Sequence, residues 1–273
     1  MITINLLSSF QLTFDHEQVP LQYRQVLLVQ ALWCAGGPVT ADGLMHWLWE
    51  HPGPGSRETL RVHVSRTRRA LTAAGADFKR LIITTRFGDG QAAYQLTRQL
   101  EVDAEQFRVL AADGSQAVRD GDYERGAKLL TGALSLWDGG GTEINPWADR
   151  RGADLRPLPE AASQEFAREA RKKLLDRRTG AMLDLLTALI SLGRHREAVA
   201  ELEQIAHENP REGTALRLLV IALYRSERFA DASKVCRRAI RALQVAGEHD
   251  GHLQQLQQAV LTRTFPFRGP IPS

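Results

Sequence analysis

The chain has 273 residues, 43% of them hydrophobic and 25% charged, with a formal net charge of +3, a balance that excludes a disordered chain and leaves room for two ordinary domains. It has no apolar run of about 18 residues and no basic stretch leading into an apolar leader, so membrane spanning and Sec export are not expected and a cytoplasmic location is. Cys34 and Cys236 lie far apart without metal-ligand spacing, which excludes a disulfide scaffold and a zinc finger.

Apolar residues alternate at Ile2, Ile4 and Leu6 and again at Phe10, Leu12 and Phe14, predicting two short strands with turns at Ser8-Ser9 and Asp15-His16-Glu17. From 22 to 35 the spacing becomes helical and stops at Gly36-Gly37-Pro38. Thr40 caps a second helix whose buried face is assigned to Leu44, Trp47 and Leu48, ending before Pro52-Gly53-Pro54-Gly55. A third helix covers 57–71, with Leu60, Val64, Thr67 and Leu71 on one stripe. Residues 81–85, a Gly88-Asp89-Gly90 turn and 93–96 read as a β-hairpin. Strands, three helices and a terminal hairpin, in that order, predict an α+β winged helix-turn-helix over 1–100.

Beyond 102 the pattern is helical, opened by Asp103-Ala104-Glu105-Gln106 as a capping box. Three slots share one plan, a turn residue, a ring and then a small residue: Gly121 with Tyr123 and Gly126, Gly193 with His195 and Ala198, Glu227 with Phe229 and Ala232. The last two small residues stand 34 positions apart, the tetratricopeptide period, and Asn209-Pro210 falls where the next helix should start. Residues 138–180 read as an insert or a degenerate repeat, with a Gly139-Gly140-Gly141 loop and a charged helix over 160–175. An all-α tetratricopeptide-like domain is therefore expected over 103–262, followed by a tail over 263–273.

The third helix carries the chemistry. Opposite its apolar stripe stand Arg57, Thr59, Val62, His63 and Arg66, with Arg61, Arg68 and Arg69 at the flanks. Five arginines face a single acid, Glu58, on this helix. The chain holds only five lysines against thirty arginines, a bias that suits bidentate phosphate and guanine contacts and also follows from a GC-rich genome. A solvated outer helix would look similar in isolation. Its place as the third helix before a hairpin points instead to a duplex, with the helix in the major groove and the wing beside it. Arg66 can fork onto guanine, Thr59 and Val62 can meet a thymine methyl, and His63 can donate to a base or phosphate. Arg57, Arg61, Arg68 and Arg69 suit the sugar-phosphate backbone, as does Arg86 on the wing.

The run Arg61-Val62-His63-Val64-Ser65-Arg66-Thr67-Arg68-Arg69-Ala70-Leu71 resembles the recognition helix of OmpR-type winged-helix regulators. Leu48-Trp49, Pro38-Val39-Thr40 and Thr84-Thr85-Arg86 through to Tyr94 also match. With helical repeats behind it, and with Ala133-Leu134-Ser135-Leu136-Trp137-Asp138-Gly139, Pro210-Arg211-Glu212 and Ala222-Leu223-Tyr224-Arg225, the chain resembles the Streptomyces antibiotic regulatory protein family over about 1–262. These proteins pair an OmpR-type output domain with a bacterial transcriptional activator domain. The resemblance implies base contacts from Thr59, His63 and Arg66, and backbone contacts from Arg57, Arg68 and Arg86. It implies double-stranded promoter DNA with direct repeats near the −35 element as partner, read by a homodimer or tandem pair. RNA polymerase holoenzyme, sigma factor included, would be met by the loop holding Glu50, His51, Gly53 and Ser56, at antibiotic or other secondary-metabolite gene clusters. Departures are Thr67 where leucine is usual, which should loosen the helix on its domain, a longer wing over 87–93, and Cys236 where tyrosine is common.

No dinucleotide or phosphate-loop spacing accompanies Gly88-Asp89-Gly90, and His249-x-x-His252 lacks further ligands, so no catalytic residue, metal or cofactor is expected. Trp47 and Trp49 read as core. No α/β repeat precedes the first strand, so control through a receiver domain is not expected either. The competing reading is a tetratricopeptide scaffold or effector-binding protein without promoter activity. Removing 103–273 should on the first reading spare DNA contact and abolish activation.

Overall fold

The computed structural model describes residues 1–75, 81–87, 90–138, 157–208, 212–245, 247 and 250–264. The wing tip at Gly88-Asp89, the Gly139-Gly140-Gly141 loop, Asn209-Pro210, Pro210-Arg211, His249 and the tail from 265 lie outside the described residues. Among those described, no helix is long and apolar enough to cross a membrane.

The chain opens on β1 (Ile2–Asn5), β2 (Gln11–Phe14) and β3 (Glu17–Gln18). β1 and β2 pair antiparallel with Ile4 opposite Leu12, so both side chains enter the core. Asp15 and His16 take positive φ to turn β2 into β3, as their residue types allow. Then come α1 (Tyr23–Ala35), β4 (Val39–Thr40), α2 (Ala41–Leu48), α3 (Ser56–Ala73), β5 (Ile82–Arg86), β6 (Ala92–Leu96) and β7 (Glu101–Val102). The expected pair of strands is a four-stranded sheet, ordered β3-β2-β1-β7, with β7 parallel to β1. A second sheet, β4-β6-β5, carries the hairpin, with Thr84 opposite Tyr94. Two-residue strands such as β7 have no alternation to detect, which is why they escape the sequence.

α1 packs against α2, α3 and β6, and its Leu27, Leu28 and Leu32 are buried with Leu44, Leu48, Leu60 and Leu71. Thr40 caps α2 as expected, its Oγ1 accepting from Gly43 N at 3.1 Å. Trp47 is not on the buried face of α2: Ala41, Leu44 and Leu48 fill it, and Trp47 lies half-exposed with its ring 5.9 Å from that of Phe166.

The helical remainder is α4 (Asp103–Arg119), α5 (Tyr123–Ser135), α6 (Glu165–Ser191), α7 (His195–Glu208), α8 (Gly213–Arg225), α9 (Phe229–Val245) and α10 (Gly251–Thr262), with short 3-10 turns at Leu136–Asp138 and Pro159–Ala161. Among the described residues, 1–109, 135–138 and 157–178 form one compact unit, and 110–134 with 179–264 form a second. The first unit is thus larger than residues 1–100. Leu158 N donates to Leu6 O, and the Glu160 carboxylate accepts from Phe10 N at 3.0 Å and Gln30 Nε2 at 2.8 Å. Trp137 is fully buried there, with the Phe107 ring edge-on at 5.3 Å and the Arg178 guanidinium 5.0 Å from its centroid.

In the second unit the turns ending α4, α6 and α8 repeat one device. Asp122 N bonds Ala117 O, Arg194 N bonds Leu189 O and Arg228 N bonds Leu223 O, while Gly121, Gly193 and Glu227 take left-handed φ just before. Three residues after each ring, Gly126, Ala198 and Ala232 are buried. A Cβ at Gly126 would stand 2.6 Å from Val118 Cγ2, so helix α5 approaches α4 too closely for any side chain there. Cys236 is a buried core residue of α9 whose thiol burial pushes up to about 11.

Asp103 does not close a local capping box. Its buried carboxylate accepts from Leu6 N at 2.8 Å and Leu7 N at 3.0 Å as well as Ala104 N, joining the end of β1 to the start of α4. Burial pushes this carboxyl up while the three N–H donors pull it down. Replacing it (Asp103→Ala) strands two buried N–H groups, and denaturant unfolding should show a loss of about 2–4 kcal/mol.

Candidate nucleic-acid interface

α3 forms because its apolar residues recur at helical spacing and seal against α1. Leu60 and Leu71 are wholly buried and Val64 nearly so. Thr67, standing where leucine is usual, is fully buried too: its hydroxyl donates to His63 O at 2.9 Å and accepts from Gln25 Nε2 at 3.4 Å. The hydroxyl is therefore partnered inside the core, and the expected loosening has no counterpart in exposure.

The other face is open. Arg57, Thr59, Arg61, Val62, Arg66 and Arg69 are exposed and His63 half-buried, so Thr59, Val62, His63 and Arg66 share one stripe. These side chains differ in what else they do. Arg57 pairs with Asp42 of α2, an acid that a count along α3 alone misses. Arg61 reaches Glu58 at 3.4 Å. The Thr59 hydroxyl donates to Gly55 O at 3.0 Å, leaving its methyl to the surface. Arg68 is bound to the hairpin: it donates to Ile82 O at 2.8 Å and to Thr84 Oγ1 at 2.8 Å. That commitment makes Arg68 a brace between α3 and β5 as well as a cation. Arg86 is exposed at the end of β5, followed by exposed Phe87.

Between α3 and the hairpin lies an open concavity of about 540 Å³, lined by Arg61, Ser65, Arg68, Arg69, Thr84 and Tyr94 among others.

His63 has surroundings that the sequence did not indicate. Its ring lies 6.2 Å from that of Trp49, which in turn has the Arg24 guanidinium 5.8 Å from its centroid. Nδ1 of His63 is buried without a hydrogen-bond partner. Burial first, then the charges of Arg66 and Arg24, holds the imidazole below its ordinary value of 6.5. Each of these causes favours the uncharged imidazole. Trp49 thus lies half-exposed against the face of α3 instead of in the core.

In the loop before α3, Glu50, His51 and Gly53 are exposed. Ser56 departs from that group: it is the first residue of α3, buried, and its Oγ accepts from Gly53 N at 2.9 Å. It holds the loop closed and has no surface to offer a partner.

Residues 102–261 match the family described as the bacterial transcriptional activator domain. Over 241 residues the chain is 27% identical to the transcriptional regulatory protein EmbR of Mycobacterium tuberculosis, which spans 87% of this chain and 57% of EmbR. The regulatory protein DnrI of Streptomyces peucetius is 26% identical over 245 residues, 87% of this chain and 83% of DnrI. A solved structure of Mycobacterium tuberculosis EmbR in complex with a low affinity phosphopeptide superposes with a TM-score of 0.79 at 25% identity, covering 99% of this chain and 66% of that one. The chain therefore spans little more than half of EmbR's length.

The lowered pKa of His63 has a consequence for stability. The unfolded chain takes up the proton first, so the contribution of His63 to stability holds above pH 6.5 and falls as the pH drops below it. Urea midpoints between pH 7.5 and 5 should decline less in His63→Phe than in the parent chain; an equal decline rejects this assignment.

Proposed function

The chain belongs to the bacterial transcriptional activator domain family, among the Streptomyces antibiotic regulatory protein type of transcriptional regulators, and from that premise we propose that it activates transcription by binding specific promoter DNA. In this reading residues 1–100 act as a winged helix-turn-helix. α3 enters the major groove, and the hairpin lies against the neighbouring backbone or minor groove. Arg66 reads guanine, Val62 and the Thr59 methyl meet thymine, and neutral His63 donates to a base acceptor. Arg57, Arg61, Arg69 and Arg86 hold phosphates, with Arg68 adding its charge from its place against the hairpin. The observation that carries this reading is the single exposed stripe of Thr59, Val62, His63 and Arg66 directly behind a sealed apolar one.

Two copies would lie head-to-tail on direct repeats beside the −35 element. Glu50, His51 and Gly53 would face RNA polymerase holoenzyme with its sigma factor, and the genes served would be a secondary-metabolite cluster. Direct-repeat DNA should bind in a strongly salt-dependent way, and Arg66→Ala should lose about 1–3 kcal/mol and relax one base position. Uniform weakening across all sequences would make Arg66 a phosphate contact and overturn its assigned role.

The contacts of the first unit also change what a truncation should do. A chain ending at 102 loses Asp103, Phe107, Trp137, Leu158 and Glu160, all of which pack within that unit. A protein ending at 178 should keep DNA affinity, whereas one ending at 102 should lose much of it together with its cooperative unfolding. Equal affinity of the two, measured by fluorescence anisotropy, would show that residues 1–102 suffice.

A further inference from the structure

In the second unit the turn after α6 and the turn after α8 lie side by side. With the end of α10 they border an open cavity of about 660 Å³, a size within the range of small-molecule sites. Its polar lining includes two guanidinium groups, Arg225 at the end of α8 and Arg263 just beyond α10, with the His195 imidazole at the start of α7. The rings of Tyr224 and Phe229 meet edge to face at 5.0 Å and form an apolar wall, with the Arg263 guanidinium 5.3 Å from the Phe229 centroid.

Three observations separate this cavity from an ordinary crevice. Arg225 is held in place, its Nη1 donating to Ile190 O at 2.9 Å, so its charge is fixed at the cavity and not swinging in solvent. The Nδ1 atom of His195 and the Oγ atom of Ser191 are both buried without a hydrogen-bond partner, although both residues line the same space. Lastly, like charges gather where burial already disfavours them: desolvation pushes the Arg225 guanidinium down, and desolvation followed by Arg225 and Arg196 pushes the His195 imidazole down. Among the described lining residues Glu227 is the carboxylate, and it is exposed, where solvent screens it.

We propose that this cavity binds a small organic anion, its phosphate or carboxylate group held by Arg225, Arg263 and His195 Nδ1 and its apolar part set against Tyr224 and Phe229. An oxyanion supplies acceptors for the guanidinium forks and for the unpartnered imidazole nitrogen together, and offsets the charge that burial penalises. The helical half of the chain then carries an effector site of its own, and this inference stands whether or not α3 reads DNA.

The test is a calorimetric titration of the full chain with inorganic phosphate, with succinate in a parallel arm, alongside NMR of the His195 imidazole. Saturable binding in one arm that shifts the His195 resonance is the expected result, and the arm that responds identifies the head group. Arg263→Gln should weaken binding roughly tenfold, the order of one charge-assisted hydrogen bond. Lys234→Gln removes an exposed cation of α9 that does not line the cavity and should leave binding unchanged. His195→Gln provides a second variant should Arg263→Gln lose its fold by circular dichroism. No saturable response in either arm, or equal weakening in Arg263→Gln and Lys234→Gln, overturns the proposal.

Discussion

The stripe of Leu60, Val64, Thr67 and Leu71 against α1 is the constraint on which the remaining geometry depends. Each buried aliphatic side chain contributes about 1.5–3 kcal/mol, so rotating α3 about its axis would expose several of them at once. The rotation is therefore set by the core, and the direction in which Arg66 and Val62 project follows from it. Thr67 adds a polar restraint inside that contact. Its hydroxyl donates to His63 O at 2.9 Å and meets Gln25 of α1 at 3.4 Å, the long end of a hydrogen bond.

The arginines of α3 illustrate how far composition falls short of placement. Along the helix they look equivalent, yet Arg68 is committed to β5 and Arg57 shares charge with Asp42, while Arg66 and Arg69 face outward. Bracing by Arg68 couples the hairpin to the helix, so the concavity between them is organised before any ligand arrives. Preorganisation of this kind lowers the side-chain entropy lost on binding.

Much of this was legible beforehand because it rests on local rules. Helical spacing located α1, α2 and α3; the turn at Asp15-His16 and the cap at Thr40 follow from residue type; the 34-residue offset located the α6–α7 and α8–α9 corners. What escaped involves partners distant in sequence. Asp103 satisfies a local capping pattern on paper, but Leu6 and Leu7 claim its oxygens from about a hundred residues away. Glu160 reads as the start of a charged helix and is in fact a clamp on Phe10 and Gln30. Trp47 and Trp49, assigned to the core, are half-exposed beside Phe166 and His63, while Ala41, Leu44 and Leu48 fill the buried face of α2. A single sequence offers no signal for such pairings, since neither partner violates its own local pattern.

The three left-handed turns show why a repeat can acquire something its siblings lack. Gly121 and Gly193 meet the positive φ without a side chain, although the Gly193 turn also borders the cavity. At the third turn Glu227 occupies the same conformation, at a cost of about 1–2 kcal/mol relative to glycine. The backbone device there is unchanged, because Arg228 N still reaches Leu223 O. Helix reversal alone therefore gives no reason for a charged residue in that position. The same corner is where His195, Arg225 and Arg263 converge on one cavity, so the departure from glycine coincides with the departure from a purely structural lining.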